Sequence, residues 1–301
     1  MKLAYKILAV LVACGMAGFA CLFHAGSVAS APAPAAVGNP PPDLPAEAVS
    51  FESGSGSRLA GWFVQGRPRR GGVLLMHGIR ANRLEMLGRA RMLNAQGFAV
   101  LLFDFQAHGE SPGRYLTFGY LESRDARAAF DFMRQRLPGE HIGVVGMSLG
   151  GAAAILSEKP LEADAMVLEA VFGSFDEALD NRMAMQLGSL GPWLSPLLKY
   201  QVEPRLGFDP DLLKPAGQVA KVHAPLLLIA GAEDRHASLG EMKRIYATAN
   251  EPKELWVIPE APHADFHRFA PEEYERRVLG FLISRLAADG VPEVASAQSG
   301  R

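Results

Sequence analysis

The sequence holds two cysteines, Cys14 and Cys21, and both lie in one apolar run at its start. Everything after that run is free of thiols. This excludes a disulfide framework, a cysteine nucleophile and a cysteine-based metal site from the folded part. Net charge is equally scarce, with 30 Lys and Arg against 32 Asp and Glu. A chain so near neutrality has no electrostatic footprint for nucleic acid. The histidines and acids show no metal-ligand spacing, and no phosphate-cradling or flavin motif is present. No metal and no cofactor are therefore expected.

What is present begins with a targeting segment. Lys2 and Lys6 precede an uncharged apolar run at residues 7–23. The run is long for a signal-peptide core and at the short limit for a spanning helix. Ser27-Val28-Ala29 has the small residues that signal peptidase accepts. Leu11-Val12-Ala13-Cys14-Gly15 resembles a lipoprotein processing box, but the apolar run continues past Cys14, which argues against that site. Residues 1–29 are read as a cleaved signal peptide or a retained membrane anchor. With both lysines on the N-terminal side, the rest of the chain is expected outside the cytoplasm. Residues 30–45 carry six prolines among Ala and Gly, and read as an extended linker without core-forming side chains. The globular domain is placed at 46–288, and 289–301 is expected to be a disordered tail.

Within the domain, short apolar runs alternate with helical patterns. Residues 48–51 and 59–64 flank a Gly/Ser turn and predict a hairpin. Residues 72–76, 98–103, 141–145, 165–169, 225–231 and 254–258 predict six more strands, most apolar enough to be buried on both faces. Helices are predicted at 84–95, 120–137, 239–249 and 271–286, the second with Asp125, Arg127, Asp131 and Arg134 on its polar side. The fold class is α/β, a doubly wound, mostly parallel eight-stranded sheet with helices on both faces. From 173 to 223 the pattern breaks into helical segments rich in Leu and Met. This insertion after the sixth strand is either a lid over the sheet's C-terminal edge or a peripheral packing layer.

At the centre stands Gly146-Met147-Ser148-Leu149-Gly150, with a strand before it and a small-residue helix after it. A strand that turns sharply into a helix leaves Ser148 at a strained apex, and a Cβ at the flanking glycines would meet neighbouring backbone. In an open α/β sheet, sites form beyond the C-terminal strand ends. The polar residues that leave those ends are His77, Asp104, Ser148, Glu169, Asp234 and His263. A serine hydroxyl is a weak nucleophile that needs a base, and the base needs an orienting carboxylate. The order Ser148, Asp234, His263 is the one that accompanies such an elbow.

The chain from about residue 48 to 286 resembles the α/β-hydrolase family. The resemblance rests on Leu74-Leu75-Met76-His77-Gly78, the loop Asp104 to Ser111, the Gly146–Gly150 elbow, Gly231-Ala232-Glu233-Asp234 and Pro262-His263. It is closest to the serine-hydrolase branch of esterases, monoacylglycerol-lipase-like enzymes and serine aminopeptidases. It implies Ser148 as nucleophile, His263 as general base and Asp234 as orienting acid. It also implies an oxyanion hole from the backbone N–H groups of Ile79 and Leu149. The expected reaction is cleavage of an ester, thioester or amide through an acyl-enzyme, foremost a carboxylesterase or lipase-like activity on a small-molecule or lipid-like acyl substrate. A serine peptidase or acyltransferase on the same triad stays open, as does a catalytically silent scaffold that only binds. Glu169 and Glu233 compete with Asp234 for the acid, and His267 with His263 for the base. His77, His108 and Asp104 are read as loop supports, and His141, His223 and His236 as loop or surface residues. His24 belongs to the targeting segment. Many relatives have Arg-Gly where this chain has Gln106-Ala107. Arg80, Asn82 and Arg83 either contact a polar substrate group or form a solvated helix start.

Overall fold

The computed structural model describes residues 2–287. The expected tail at 289–301 lies outside the described residues. Among them, eight strands form one sheet: β1 (Ala46–Glu52), β2 (Arg58–Val64), β3 (Gly72–Met76), β4 (Ala99–Phe103), β5 (Ile142–Met147), β6 (Ala165–Glu169), β7 (Leu226–Gly231) and β8 (Lys253–Ile258). Their spatial order is β8-β7-β6-β5-β3-β4-β2-β1. β2 is antiparallel to β1 and β4, and the pairs from β4 through β8 are parallel. The fold class expected from the alternating runs is the one observed.

The longer helices are α1 (Lys2–Ala29), α2 (Leu87–Ala95), α3 (Tyr120–Arg136), α4 (Leu149–Leu156), α5 (Phe175–Leu187), α6 (Gly191–Lys199), α7 (Val202–Leu206), α8 (Leu239–Thr248) and α9 (Pro271–Leu286). Strand alternation divides the core into two layers. Leu74, Met76, Val144 and Leu168 pack under α3, α4 and α8. Val73, Leu75, Val145 and Val167 pack under α2 and α9. The chain leaves β3 for β4 on one side and returns to β5 on the other. The loops after β3 and β5 thus emerge side by side, with Met76 paired to Gly146. This reversal opens the crevice in which α/β sheets bind ligands.

Two expectations need correction. The linker at 30–45 does contribute to the core, because Leu44 is buried in the layer beneath α2. It is also tied down, with Ala33–Pro34 pairing in parallel with His108–Gly109 and Leu116 N–H donating to Ser30 O at 2.9 Å. Asp125 is not on a solvated face of α3. It is buried and accepts hydrogen bonds from Ser53 Oγ at 2.6 Å and Gln106 N–H at 2.8 Å.

α1 is long and apolar enough to cross a membrane, and none of its residues is buried in the protein. Its C-terminal end is nonetheless held. Gln201 Nε2 donates to Leu22 O at 3.1 Å, and Arg205 donates to Phe23 O at 3.0 Å and Ser27 Oγ at 2.5 Å.

Candidate active site

Ser148 sits between the end of β5 and the first residue of α4, with φ 48° and ψ −108°. A non-glycine residue at positive φ is strained, and here the surroundings enforce it. A Cβ at Gly146 would lie 2.6 Å from Gly151 N, and one at Gly150 would lie 2.4 Å from Met76 O. Only glycine at both positions lets the strand, turn and helix close this tightly. The main chain of Ser148 is satisfied, its N–H by Glu169 O at 2.7 Å and its C=O by Ala152 N–H at 2.9 Å. Its side chain lines a cavity of about 230 Å³.

Two backbone amides border the same cavity. Leu149 N–H is the first of α4, where no intrahelical acceptor exists, and Ile79 follows the turn after β3. Neither amide has a hydrogen-bond acceptor among the described residues, and both residues line the cavity. The turn that carries Ile79 is braced. His77 Nε2 accepts from Phe105 N–H at 3.1 Å, so Nδ1 carries the proton and donates to Gly78 O at 2.7 Å. Burial drives the His77 pKa down to about 3, which keeps this imidazole neutral. Glu85 accepts from Gly78 N–H at 2.6 Å, and burial raises its pKa.

Asp234 follows β7 and His263 follows β8. The turns meet because Gly231 has no side chain: a Cβ there would lie 2.3 Å from Ala261 O. His263 Nδ1 lies 2.7 Å from Asp234 Oδ2. The other carboxylate oxygen accepts from His236 N–H at 2.7 Å and Ala237 N–H at 3.0 Å. A buried carboxylate only accepts, so Nδ1 of His263 bears the hydrogen and Nε2 is its basic nitrogen. His263 lines the cavity with Ser148. The structure therefore brings Ser148, His263, Ile79 and Leu149 to one cavity, with Asp234 behind His263.

The competing residues are elsewhere. Glu169 is fully buried and bound by Arg89, with Nη2 at 2.6 Å, and by Tyr274 OH at 2.5 Å. Glu233 is exposed. His267 pairs with Glu275 at 3.1 Å and packs on Tyr274 with ring centroids 5.0 Å apart. His108 donates from Nδ1 to Gln106 O within its own loop, His141 pairs with Asp164, and His24 and His223 are exposed. Asp104 accepts from Arg83 N–H at 2.7 Å and Glu110 N–H at 2.9 Å, within the loop after β4. Arg83 is buried on that carboxylate and on Glu110, so it is not a solvated helix start, whereas Asn82 is one, capping the following turn through an exposed bond from Leu84 N–H; neither lines the cavity. Arg80 does line the cavity, with its guanidinium on the carbonyls of Val28 and Ala29.

His236 is the residue that the sequence reading missed. It is a loop residue, but its ring lies 4.8 Å from that of His263 and lines the cavity. Burial lowers its pKa, with the neighbouring His263 and Arg182 adding to the effect. Its position two residues after Asp234 was the available signal. The segment between β6 and β7 supplies much of the remaining wall, through Phe175, Leu179 and Arg182 of α5, Leu198 of α6, and Val202 and Leu206 of α7. Gly26, Ala29 and Ser30, at and after the end of α1, complete it.

Comparison with known proteins adds three similarities. Residues 67–209 match the family model described as serine aminopeptidase, S33. The uncharacterized protein Rv2307c of Mycobacterium tuberculosis is 30% identical over 246 residues, covering 80% of this chain and 79% of that protein. The solved esterase Pf2001 of Pyrococcus furiosus superposes with a TM-score of 0.69 at 27% identity, covering 86% of this chain and 98% of that one.

Proposed function

The chain belongs to the α/β-hydrolase family, and from that premise we propose that it is a serine esterase that works through an acyl-enzyme. The observation that carries the proposal is the 2.7 Å Asp234–His263 bond behind a cavity lined by His263, Ser148 and two amides free to donate. Asp234 holds His263 in the tautomer whose Nε2 takes the Ser148 proton. Ser148 Oγ then attacks the substrate carbonyl. The developing oxyanion is met by Leu149 N–H and Ile79 N–H, each of which contributes roughly 3 kcal/mol to such a transition state. Return of the proton from His263 to the leaving alkoxide yields the acyl-enzyme and the free alcohol. A water activated by the same Nε2 then releases the acid.

The cavity favours an ester over a peptide with a free amino terminus. Its formal charges other than those of the histidines are the cations Arg80, Arg182 and Arg205, and these repel a substrate ammonium. The rest of its wall is largely apolar and suits an acyl chain. The 27%-identical relative of solved structure is itself an esterase. α1 is read as a retained anchor with the domain outside the cytoplasm. In support, cleavage after Ala29 would remove Gly26 and Ala29 from the cavity wall.

The test is labelling with a fluorophosphonate, followed by an acyl-length series of p-nitrophenyl esters with an aminoacyl p-nitroanilide alongside. Label is expected on the Ser148 peptide and is expected to vanish in Ser148→Ala, with the esters turned over in preference to the anilide. Absence of labelling, or label that survives Ser148→Ala, would overturn the serine mechanism. Preference for the anilide would replace the esterase with a peptidase.

A further inference from the structure

α6 and α7 have two faces with different surroundings. One face, with Leu198, Val202 and Leu206, lines the cavity that holds Ser148. The other carries large apolar side chains into solvent. Trp193 is 83% exposed, Tyr200 79% and Leu190 70%, with Leu197 also exposed between them. Trp193, Leu197 and Tyr200 stand at i, i+4 and i+7, which puts them on one side of a helix. Large apolar side chains exposed together along one side of a helix mark a surface that something covers.

The neighbour of that patch indicates what covers it. Leu197, Tyr200 and Pro204 share a groove with Gly15, Gly18, Phe19, Leu22 and Phe23 of α1. These α1 residues form the second half of the uncharged apolar run. If α1 spans a bilayer, they lie between the middle of the hydrocarbon and its outer boundary, because 28 residues reach roughly 42 Å against a core of roughly 30 Å. The side of α6 alongside them is then carried to the membrane surface. The residue types suit that depth, since Trp and Tyr are enriched where hydrocarbon meets headgroups. The latch from Gln201 and Arg205 to the end of α1 holds the two helices in this relation.

We propose that Leu190, Trp193, Leu197 and Tyr200 form a surface that seats on the lipid bilayer, and that the cavity behind it takes acyl esters of bilayer-resident amphiphiles. The second part rests on the serine-esterase reading. The end of α1 walls the same cavity through Gly26, Ala29 and Ser30. An acyl chain that leaves the bilayer along the α1–α6 seam thus reaches Ser148 without crossing bulk water. No reactant is needed beyond the ester and water. The ester C–O bond breaks, the acyl carbon gains a water oxygen, and the alcohol leaves with a proton.

The chain carries its own reporter. Of its three tryptophans, Trp62 and Trp256 are buried and only Trp193 is exposed. The full-length protein in phosphatidylcholine vesicles should show Trp193 emission quenched by lipids brominated on their acyl chains and protected from aqueous iodide. Trp193→Phe should abolish this quenching. Leu190→Ser combined with Trp193→Ser should slow hydrolysis of a long-chain ester presented in those vesicles about tenfold, and leave soluble p-nitrophenyl butyrate within about twofold. Bromolipid that fails to quench Trp193 overturns the seating. This holds whether the residue stays open to iodide or is shielded by a second copy of the chain. A double variant that hydrolyses the vesicle ester at the wild-type rate also overturns the proposal. Quenching is read without turnover, so loss of both ester activities with quenching intact refutes the esterase reading alone.

Discussion

Asp234 and Glu169 are both buried carboxylates at the C-terminal ends of sheet strands, and their partners separate them. Asp234 faces an imidazole and two backbone amides. Glu169 faces Arg89 and Tyr274, and Arg89 also reaches Asp265 at 2.8 Å. On the proposed mechanism the first set orients a base, while the second neutralises a buried cation. Asp234→Asn is therefore expected to lower kcat by about 10³–10⁴-fold with the thermal midpoint little changed, since the amide favours the wrong His263 tautomer. Glu169→Gln is expected to destabilise the fold by about 3 kcal/mol and to spare turnover per folded molecule, because it leaves Arg89 poorly paired. Steady-state kinetics beside thermal unfolding of the two variants check this, and the reverse order would reassign the acid. In the sequence both residues were legible as strand-end acids. What separates them, Arg89 and Tyr274 at 80 and 105 residues' distance, was not.

The elements were legible where one physical cause dominates. Buried strands appear as apolar runs, and β3 and β6 begin and end where those runs do. β5 runs on through Gly146 and Met147 into the elbow, beyond the apolar stretch that predicted it, because pairing with Met76 and Glu169 outweighs glycine's weak strand preference. The insertion was legible as helical from its Leu and Met spacing, but its two faces were not, since both are apolar. The elbow is the element most exposed to a single change. Gly150→Ala would drive a methyl group to 2.4 Å from Met76 O, backbone that cannot yield cheaply. It is expected to destabilise the protein by about 2 kcal/mol or more and to remove most of the proposed esterase activity, because β3, Ile79 and Ser148 shift together. Denaturant unfolding and fluorophosphonate labelling of this variant report the two effects separately. An undisturbed midpoint would mean the turn relaxes more freely than its contacts indicate.

At the scale of the whole molecule, the alternation of strands and helices predicted the sheet, and the order of Ser148, Asp234 and His263 predicted which ends converge. Contacts between segments distant in sequence were hidden, because no local period encodes them: α1 latched by Arg205, Leu44 in the core, and Asp125 joining three segments. Asp125 ties α3 to the turn between β1 and β2 and to the loop after β4. Burial raises its pKa from 3.8 to about 7. The folded chain therefore holds a proton that the unfolded chain releases, so its contribution to stability falls as pH rises from about 4 to about 7 and is level above. Asp125→Asn keeps the shape and removes the titration, and its stability relative to wild type should rise across that interval. Unfolding midpoints of the two proteins at pH 4, 5, 6 and 7 test it, and parallel curves would show that the carboxyl does not titrate there.

The backbone at Ser148 sets stability against chemistry. A residue with a Cβ held at φ 48° raises the energy of the folded state, and glycine would relieve that strain. On the proposed mechanism, Ser148→Gly would therefore give a sturdier and inert protein. On the same mechanism, the hydroxyl at the apex is held against that gain in stability, at a cost in folding energy that glycine would not carry.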